Sequence, residues 1–218
     1  MLRAFGFFGF FAGVTAATAL AQNPVDVPLP APRMDGGKPL MQVLRDRRST
    51  REYSDRALAL QTISDLLWAA AGTNRPTEHK RTAPSARNWQ EIEVYAVTKD
   101  GAYLYDAEAN LLRAVISGDL RRRTGTQDFV GIAPLDLVYV ADVSKMKDVR
   151  PGDEPLYNGA DAAFISENVY LFCASEGLAT VVRGSVDRAA LATALKLPET
   201  RKVVFAQTVG YPKEEAGK

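Results

Sequence analysis

The sequence predicts an α+β fold, and three observations carry that reading. Short runs rich in Val, Leu, Ile and Tyr at 92–98, 102–105, 135–141 and 203–209 have the length and composition of strands. Apolar residues recur at helical spacing over 40–47 and 60–71, with Leu66, Leu67 and Ala70 on one face of the second stretch. The segment 160–178 is the longest helix candidate and is apolar almost all round, through Phe164, Ile165, Val169, Tyr170, Leu171 and Phe172. A helix with no polar face must be covered on every side. In a domain of this size a second subunit is the natural cover, the alternative being a central helix inside a monomer.

The chain opens with Arg3 before an uncharged run from Ala4 to Val25, and Ala19-Leu20-Ala21 fits the small-x-small rule for cleavage before Gln22. Residues 1–21 are therefore expected to be a secretory signal peptide. An uncleaved membrane anchor is the alternative, because the run is nearly long enough to span a bilayer. No twin-Arg pair precedes the run and no Cys lies near the cut, which disfavours Tat export and lipid anchoring. The mature protein is expected to be exported, periplasmic or secreted, with no stable membrane span. Residues 22–39 contain five prolines and little periodicity, and read as an extended arm that tethers or wraps the domain. Residues 40–218 then form one domain. Near its end, Asp187 caps a short helix at 188–197 that Pro198 stops.

Three short segments carry candidate chemistry. Arg47-Arg48-Ser49-Thr50-Arg51 packs three guanidiniums and two hydroxyls beside a turn, the donor set a phosphate ester needs. Alone it reads as easily as a solvated basic turn. Ala83-Pro84-Ser85-Ala86-Arg87-Asn88-Trp89-Gln90 breaks a helix and brings amides that both donate and accept. In Gly177-Leu178-Ala179-Thr180-Val181-Val182-Arg183-Gly184, a Gly ends the long helix, a short strand follows, and a second Gly lets backbone approach a ligand.

Other features narrow the function by exclusion. Removing residues 1–21 takes away one Arg, leaving 26 basic against 26 acidic residues. That balance gives no footing to nucleic acid, whose backbone demands clustered excess cations. Arg121-Arg122-Arg123 reads as a solvated turn. Cys173 is the only Cys and sits among Leu171, Phe172 and Ala174 as a buried small hydrophobe, so the domain depends on its core. His79 is the only His, in a polar loop, which argues against a metal site or a His-based triad.

In order along the chain, RRSTREY, LQTISDLLWAAAG, APSARNWQ, APLDLVYVAD, ADAAFISENVYLFCASEGL and VVFAQTVGYPK resemble the nitroreductase family of flavin enzymes. The likeness is strongest to its short, dehydrogenase-like branch that includes azoline-oxidising enzymes, and runs from about Pro39 to Pro212. It implies a central, mostly antiparallel sheet flanked by helices, with the long buried helix at a homodimer interface, and FMN bound at that interface. Position by position, it implies that Arg47, Arg48 and Ser49 hold the phosphate and that Arg51 lies near the flavin N1/O2 edge. Pro84, Ser85 and Asn88 would reach the flavin of the other subunit. Arg183 and Gly184 would offer backbone N–H groups toward N5, the Gly184 amide above all, and Gln127 an amide to the ring.

The chain also departs from the family's pattern. Many members complete the phosphate site with a Lys/Arg pair well beyond the final Gly-Tyr, for which Lys213 or Lys218 is expected to substitute in part. Arg183 stands where well-studied members have Glu, which changes the charge expected on the substrate side. Export would also separate the protein from NADH and NADPH. The expected activity is that of an FMN-dependent oxidoreductase between a small-molecule electron donor and a flat acceptor such as a nitroaromatic or quinone. Two alternatives are a flavin-dependent dehydrogenase or oxidase of a heterocycle or peptide, and a flavin-binding protein without turnover.

Overall fold

The computed structural model describes residues 24–213, so the signal peptide expected at 1–21 and the terminal Lys218 lie outside the described residues. In chain order the elements are strand β1 (Val27–Pro28), helices α1 (Leu40–Asp46) and α2 (Leu60–Ala71), and the small hairpin β2 (Thr73–Arg75) and β3 (Lys80–Arg81). Strands β4 (Ile92–Val97), β5 (Gly101–Asp106), β6 (Leu111–Ser117) and β7 (Leu135–Asp142) follow. The chain then forms helix α3 (Glu154–Glu176), strand β8 (Ala179–Arg183), helix α4 (Arg188–Ala194) and strand β9 (Arg201–Gly210). Seven strands make one sheet in the order β1-β6-β5-β4-β7-β9-β8. Every neighbouring pair is antiparallel.

Strand β7 shows why this sheet has helices on both faces. All eight of its residues are buried. Leu135, Leu137, Tyr139 and Ala141 pack with Leu66 and Leu67 of α2 and Val169 of α3. Val138 and Val140 pack on the other side with Leu191 of α4 and with Leu195 just beyond it. The two-residue period of a strand thus feeds two apolar clusters at once.

The expected helix at 160–178 begins earlier, at Glu154, with a proline in its first turn, and ends at Gly177, whose φ of 70° is the left-handed stop that glycine favours. It is less uniformly apolar than the sequence suggests. Asn158, Asp161 and Ser166 are buried polar residues on its inner side, while Leu156 and Phe164 are 68% and 48% exposed on the outer side. Within one chain α3 is covered on one face only. Asp187 caps α4 as expected, its carboxylate accepting from the Ala190 amide at 3.0 Å.

Strands β1, β2, β3 and β6 were not legible as strands. β1 contains Pro28, which has no N–H to give, and it lies at the sheet edge, where a proline is tolerated. Beyond it the arm lies against α2: the Arg33 backbone and guanidinium both donate to Asp65 at 2.8 Å, and Ser64 donates to the Pro30 carbonyl at 2.6 Å.

Candidate cofactor site

Segment 47–54 leaves α1 in extended conformation and docks on the free edge of β8. The Arg47 amide closes the helix on Val43, and the Thr50 amide then donates to the Thr180 carbonyl at 2.9 Å. Tyr53 fastens the far end. Its hydroxyl donates to the Thr50 carbonyl at 2.6 Å, and its backbone bridges to Pro212. Because β8 is the last strand of the sheet, its outer backbone groups are available for this pairing.

Tyr170 of α3 joins the pieces. Its hydroxyl lies 2.8 Å from Ser49 Oγ and accepts from the Val182 amide at 3.0 Å. The Arg47 guanidinium sits 5.3 Å from the centre of its ring. A tyrosine hydroxyl that accepts from Val182 can donate to Ser49, which leaves the serine's own proton for an anion.

Arg47, Arg48, Thr50, Tyr170 and Thr180 line a cavity of about 440 Å³, with Ser49 behind its wall on Tyr170. Its one acidic lining residue, Asp46, pairs with Lys38 and Arg45. Among the described residues no carboxylate comes within 4.0 Å of Arg47, Arg48 or Arg51. The cluster therefore carries uncompensated positive charge over a cavity with hydroxyls and an apolar wall, the chemistry of an anion site. A larger cavity of about 630 Å³, between the arm and helices α1, α2 and α3, contains none of the residues expected to bind cofactor.

At the other end of β8, Gly184 is exposed, and a Cβ built on it would meet nothing within 4 Å. Lys213 lies back at the start of β8, where Ala179 pairs with Gly210, its amide donating to the Glu52 carbonyl at 3.2 Å. Gln127 stands before a short 3₁₀ turn, and its Oε1 is buried without a donor.

The loop 83–90 lies elsewhere. Arg87, Asn88 and Gln90 adopt φ values of 51°, 57° and 50°, a left-handed backbone that costs about 1–3 kcal/mol per non-glycine residue. Hydrogen bonds hold it there. Ala86 donates to Asp161 Oδ2 at 2.8 Å, the Gln90 amide to Ser85 Oγ at 3.0 Å, and Trp89 Nε1 to the Lys147 carbonyl at 3.1 Å. Asn88 Oδ1 accepts from the Gln90 side chain. Asp161 and Tyr170 are separated by about 13 Å of helix at 1.5 Å per residue, so Pro84, Ser85 and Asn88 do not converge with Arg47 and Ser49 within one chain.

The sequence profile of the nitroreductase family matches residues 44–211. This chain belongs to the nitroreductase family. It is 31% identical over 170 residues to a provisionally named nitroreductase of Methanocaldococcus jannaschii, covering 73% of this chain and 85% of that protein. A solved structure of a provisionally named nitroreductase from Ralstonia eutropha is 41% identical, with a TM-score of 0.84 over 90% of this chain and 96% of that one. The NADPH:FMN oxidoreductase of Vibrio harveyi shares the fold at 20% identity, with a TM-score of 0.59 over 80% of this chain and 69% of that one.

Two expectations need correction. Arg183 brings no charge to the substrate side: its guanidinium is buried, donating to the Thr124 carbonyl at 2.7 Å and to Asp136 Oδ1 at 2.9 Å. Burial lowers its pKa, and Asp136 opposes that shift. Arg121 is not in a solvated turn, because it pairs with Asp119 at 2.7 Å and donates to the Ala133 carbonyl at 2.9 Å. Tyr170 is the site residue that sequence reasoning missed. Its signal was a phenol hydroxyl among the apolar neighbours Val169, Leu171 and Phe172, a polar tip that needs a partner when buried.

Proposed function

We propose that the protein is an exported FMN-dependent oxidoreductase, passing hydride or electrons through flavin N5 to a flat electrophilic acceptor such as a nitroaromatic or quinone. Membership of the nitroreductase family supports an oxidoreductase, and the observation that carries the cofactor reading is the uncompensated Arg47–Arg48 pair over its cavity. The donor set fits a phosphate ester: two charged forks, the Ser49 and Thr50 hydroxyls, and a single carboxylate, Asp46, that is already paired with Lys38 and Arg45. Bound FMN would supply hydride transfer, which no amino-acid side chain performs.

The chain's own residues bind and orient. Arg47, Arg48 and Ser49 would hold the phosphate, with Lys213 as a further cation at the end of the described chain. Arg51 would set a positive charge near the N1/O2 edge of the ring. The Gly184 amide would point at N5 and Gln127 would offer its amide, while Pro84, Ser85 and Asn88 would serve the partner's cofactor. No side chain in this arrangement is needed as a general base, and the lone His79 is exposed and bonded to Glu108.

Arg47→Ala is expected to weaken FMN binding by about 1.5–3 kcal/mol, the worth of a charge-assisted contact. Arg123→Ala, at an exposed position, is expected to leave it unchanged. Flavin titration decides it, and equal affinities would remove the phosphate role from residues 47–49. A yellow purified protein that releases FMN tests the cofactor itself.

A homodimer follows from the same reading. Leu156 and Phe164 on the outer face of α3, and Leu40 and Met41 on α1 at 61% and 77% exposure, are apolar surface that a second copy would cover. Cofactor and subunits should then separate together, since each site draws on both chains. Light scattering that finds a flavin-loaded monomer at micromolar concentration would overturn it.

A further inference from the structure

Glu91 stands where the 83–90 loop passes into β4. It is 0% exposed, and no donor from elsewhere in the fold meets either carboxyl oxygen, its own backbone amide being the one N–H beside it. A buried carboxylate without a donor is among the costliest arrangements in a protein. Its neighbour is Asp161, 3% exposed, whose carboxyl is within side-chain hydrogen-bond reach of Glu91 and whose Oδ2 accepts from the Ala86 amide of the loop. Two acceptors in contact are satisfied only when one of them carries a proton. We propose that Glu91 and Asp161 share a proton, Glu91 O–H donating to Asp161, and that this shared proton locks the 83–90 loop in the conformation that meets the cofactor. The last clause rests on the reading above that Pro84, Ser85 and Asn88 face the flavin of the partner.

The surroundings favour the protonated form. Burial, first, and the neighbouring Asp161 carboxylate raise Glu91 from the ordinary 4.5 to about 7, against opposing pulls from its own backbone amide and from Lys145. Lys145 comes from the turn after β7 and is itself 3.2 Å from Glu93. Arg81 of β3 lines the same small cavity as Asp161 but donates to the Ile92 carbonyl at 3.3 Å. The base of Glu91 is rigid, since its carbonyl accepts from the Asp142 amide at 2.9 Å. Both carboxyls are thus fixed to stable elements, and the loop with three left-handed residues is the part free to respond.

The sign is set by a folded pKa above the ordinary value. The proton's contribution is full below about 4.5 and lost as the pH rises to about 7 and beyond. Two carboxylates then repel, Asp161 withdraws from the Ala86 amide, and the loop loosens.

The test compares wild type and Glu91→Gln between about pH 6 and pH 8.5, measuring FMN affinity and hydrogen exchange at Ala86 corrected for its intrinsic pH dependence. Above the inflection, wild-type FMN affinity should fall by as much as about tenfold per pH unit, the limit for one linked proton, and Ala86 should lose protection. In Glu91→Gln the amide donates to Asp161 at any pH, so both curves should stay flat at the acid-side level. In Asp161→Asn, which removes the like charge, the inflection should move to lower pH. This second variant stands in if the first does not fold. A flat wild-type exchange profile, or the same inflection in Glu91→Gln, would overturn the shared proton. Exchange that follows pH while FMN affinity does not would overturn the lock on the cofactor and, with it, the placement of this loop at the flavin.

Discussion

Asp136→Ala is expected to destabilise the fold by about 3–5 kcal/mol, the cost of stranding one partner of a buried ion pair. Arg183 and Asp136 have side chains 3% and 0% exposed, 2.9 Å apart, and Thr208 donates to the same Asp136 oxygen. A guanidinium cannot shed its proton, so without Asp136 it stays charged and buried. The opposite variant, Arg183→Met, should cost less, because a carboxyl can neutralise itself. Burial already pushes Asp136 up to about 7, against the pull of Arg183. Without Arg183 that pull is lost and the carboxyl rises further, so the deficit of Arg183→Met should be smallest below about 7 and grow as the pH rises above it. Urea unfolding of both variants at about pH 5.5 and pH 8 checks size and sign. Two variants within about 1 kcal/mol of wild type at both values would mean that the pair does not support the sheet.

That pair also shows where sequence reading stops. The helix at 60–71, the strands at 92–98, 135–141 and 203–209, the glycine stop at 177 and the cap at Asp187 were all legible, because periodicity, β-branching and capping are local properties. Strand β6 mixes Arg113 and Ala114 into a half-buried edge region and carries no clean period. The partners of Arg183 lie 47 and 59 positions away, and no local pattern records such distances. Gly125 is a similar case. It reads as the flank of a basic turn, yet a Cβ there would overlap Arg183 Nη1, so its lack of a side chain makes room for the buried guanidinium. The RRST segment was legible by composition, while the link that Tyr170 makes between Ser49 and Val182 needed the fold.

Gly184→Val is expected to abolish flavin reduction while leaving the protein folded and dimeric. Ordinarily a glycine exchanged for a β-branched residue is ambiguous, since lost activity can follow from lost stability. Here the two separate. Among the described residues, nothing beyond its two chain neighbours lies within 4 Å of a Cβ at Gly184, and its φ is outside the left-handed region, so the backbone accepts a side chain without strain. The change in stability should be that of an open surface site, within about 0.5 kcal/mol. The space is nonetheless placed with care. Arg183, one residue earlier, is held by Thr124 and Asp136, Val182 is held by Tyr170, and the same strand edge carries Thr50 at its start. The position of the Gly184 amide is therefore fixed relative to the Arg47–Arg48 cavity, and if that amide meets N5, a valine side chain would intrude on the ring. Thermal melting and stopped-flow bleaching of the flavin, on the same sample, separate fold from function. A variant that melts with wild type, stays yellow and is reduced at the wild-type rate would show that Gly184 is not beside N5, and would move the reacting end of the site away from β8.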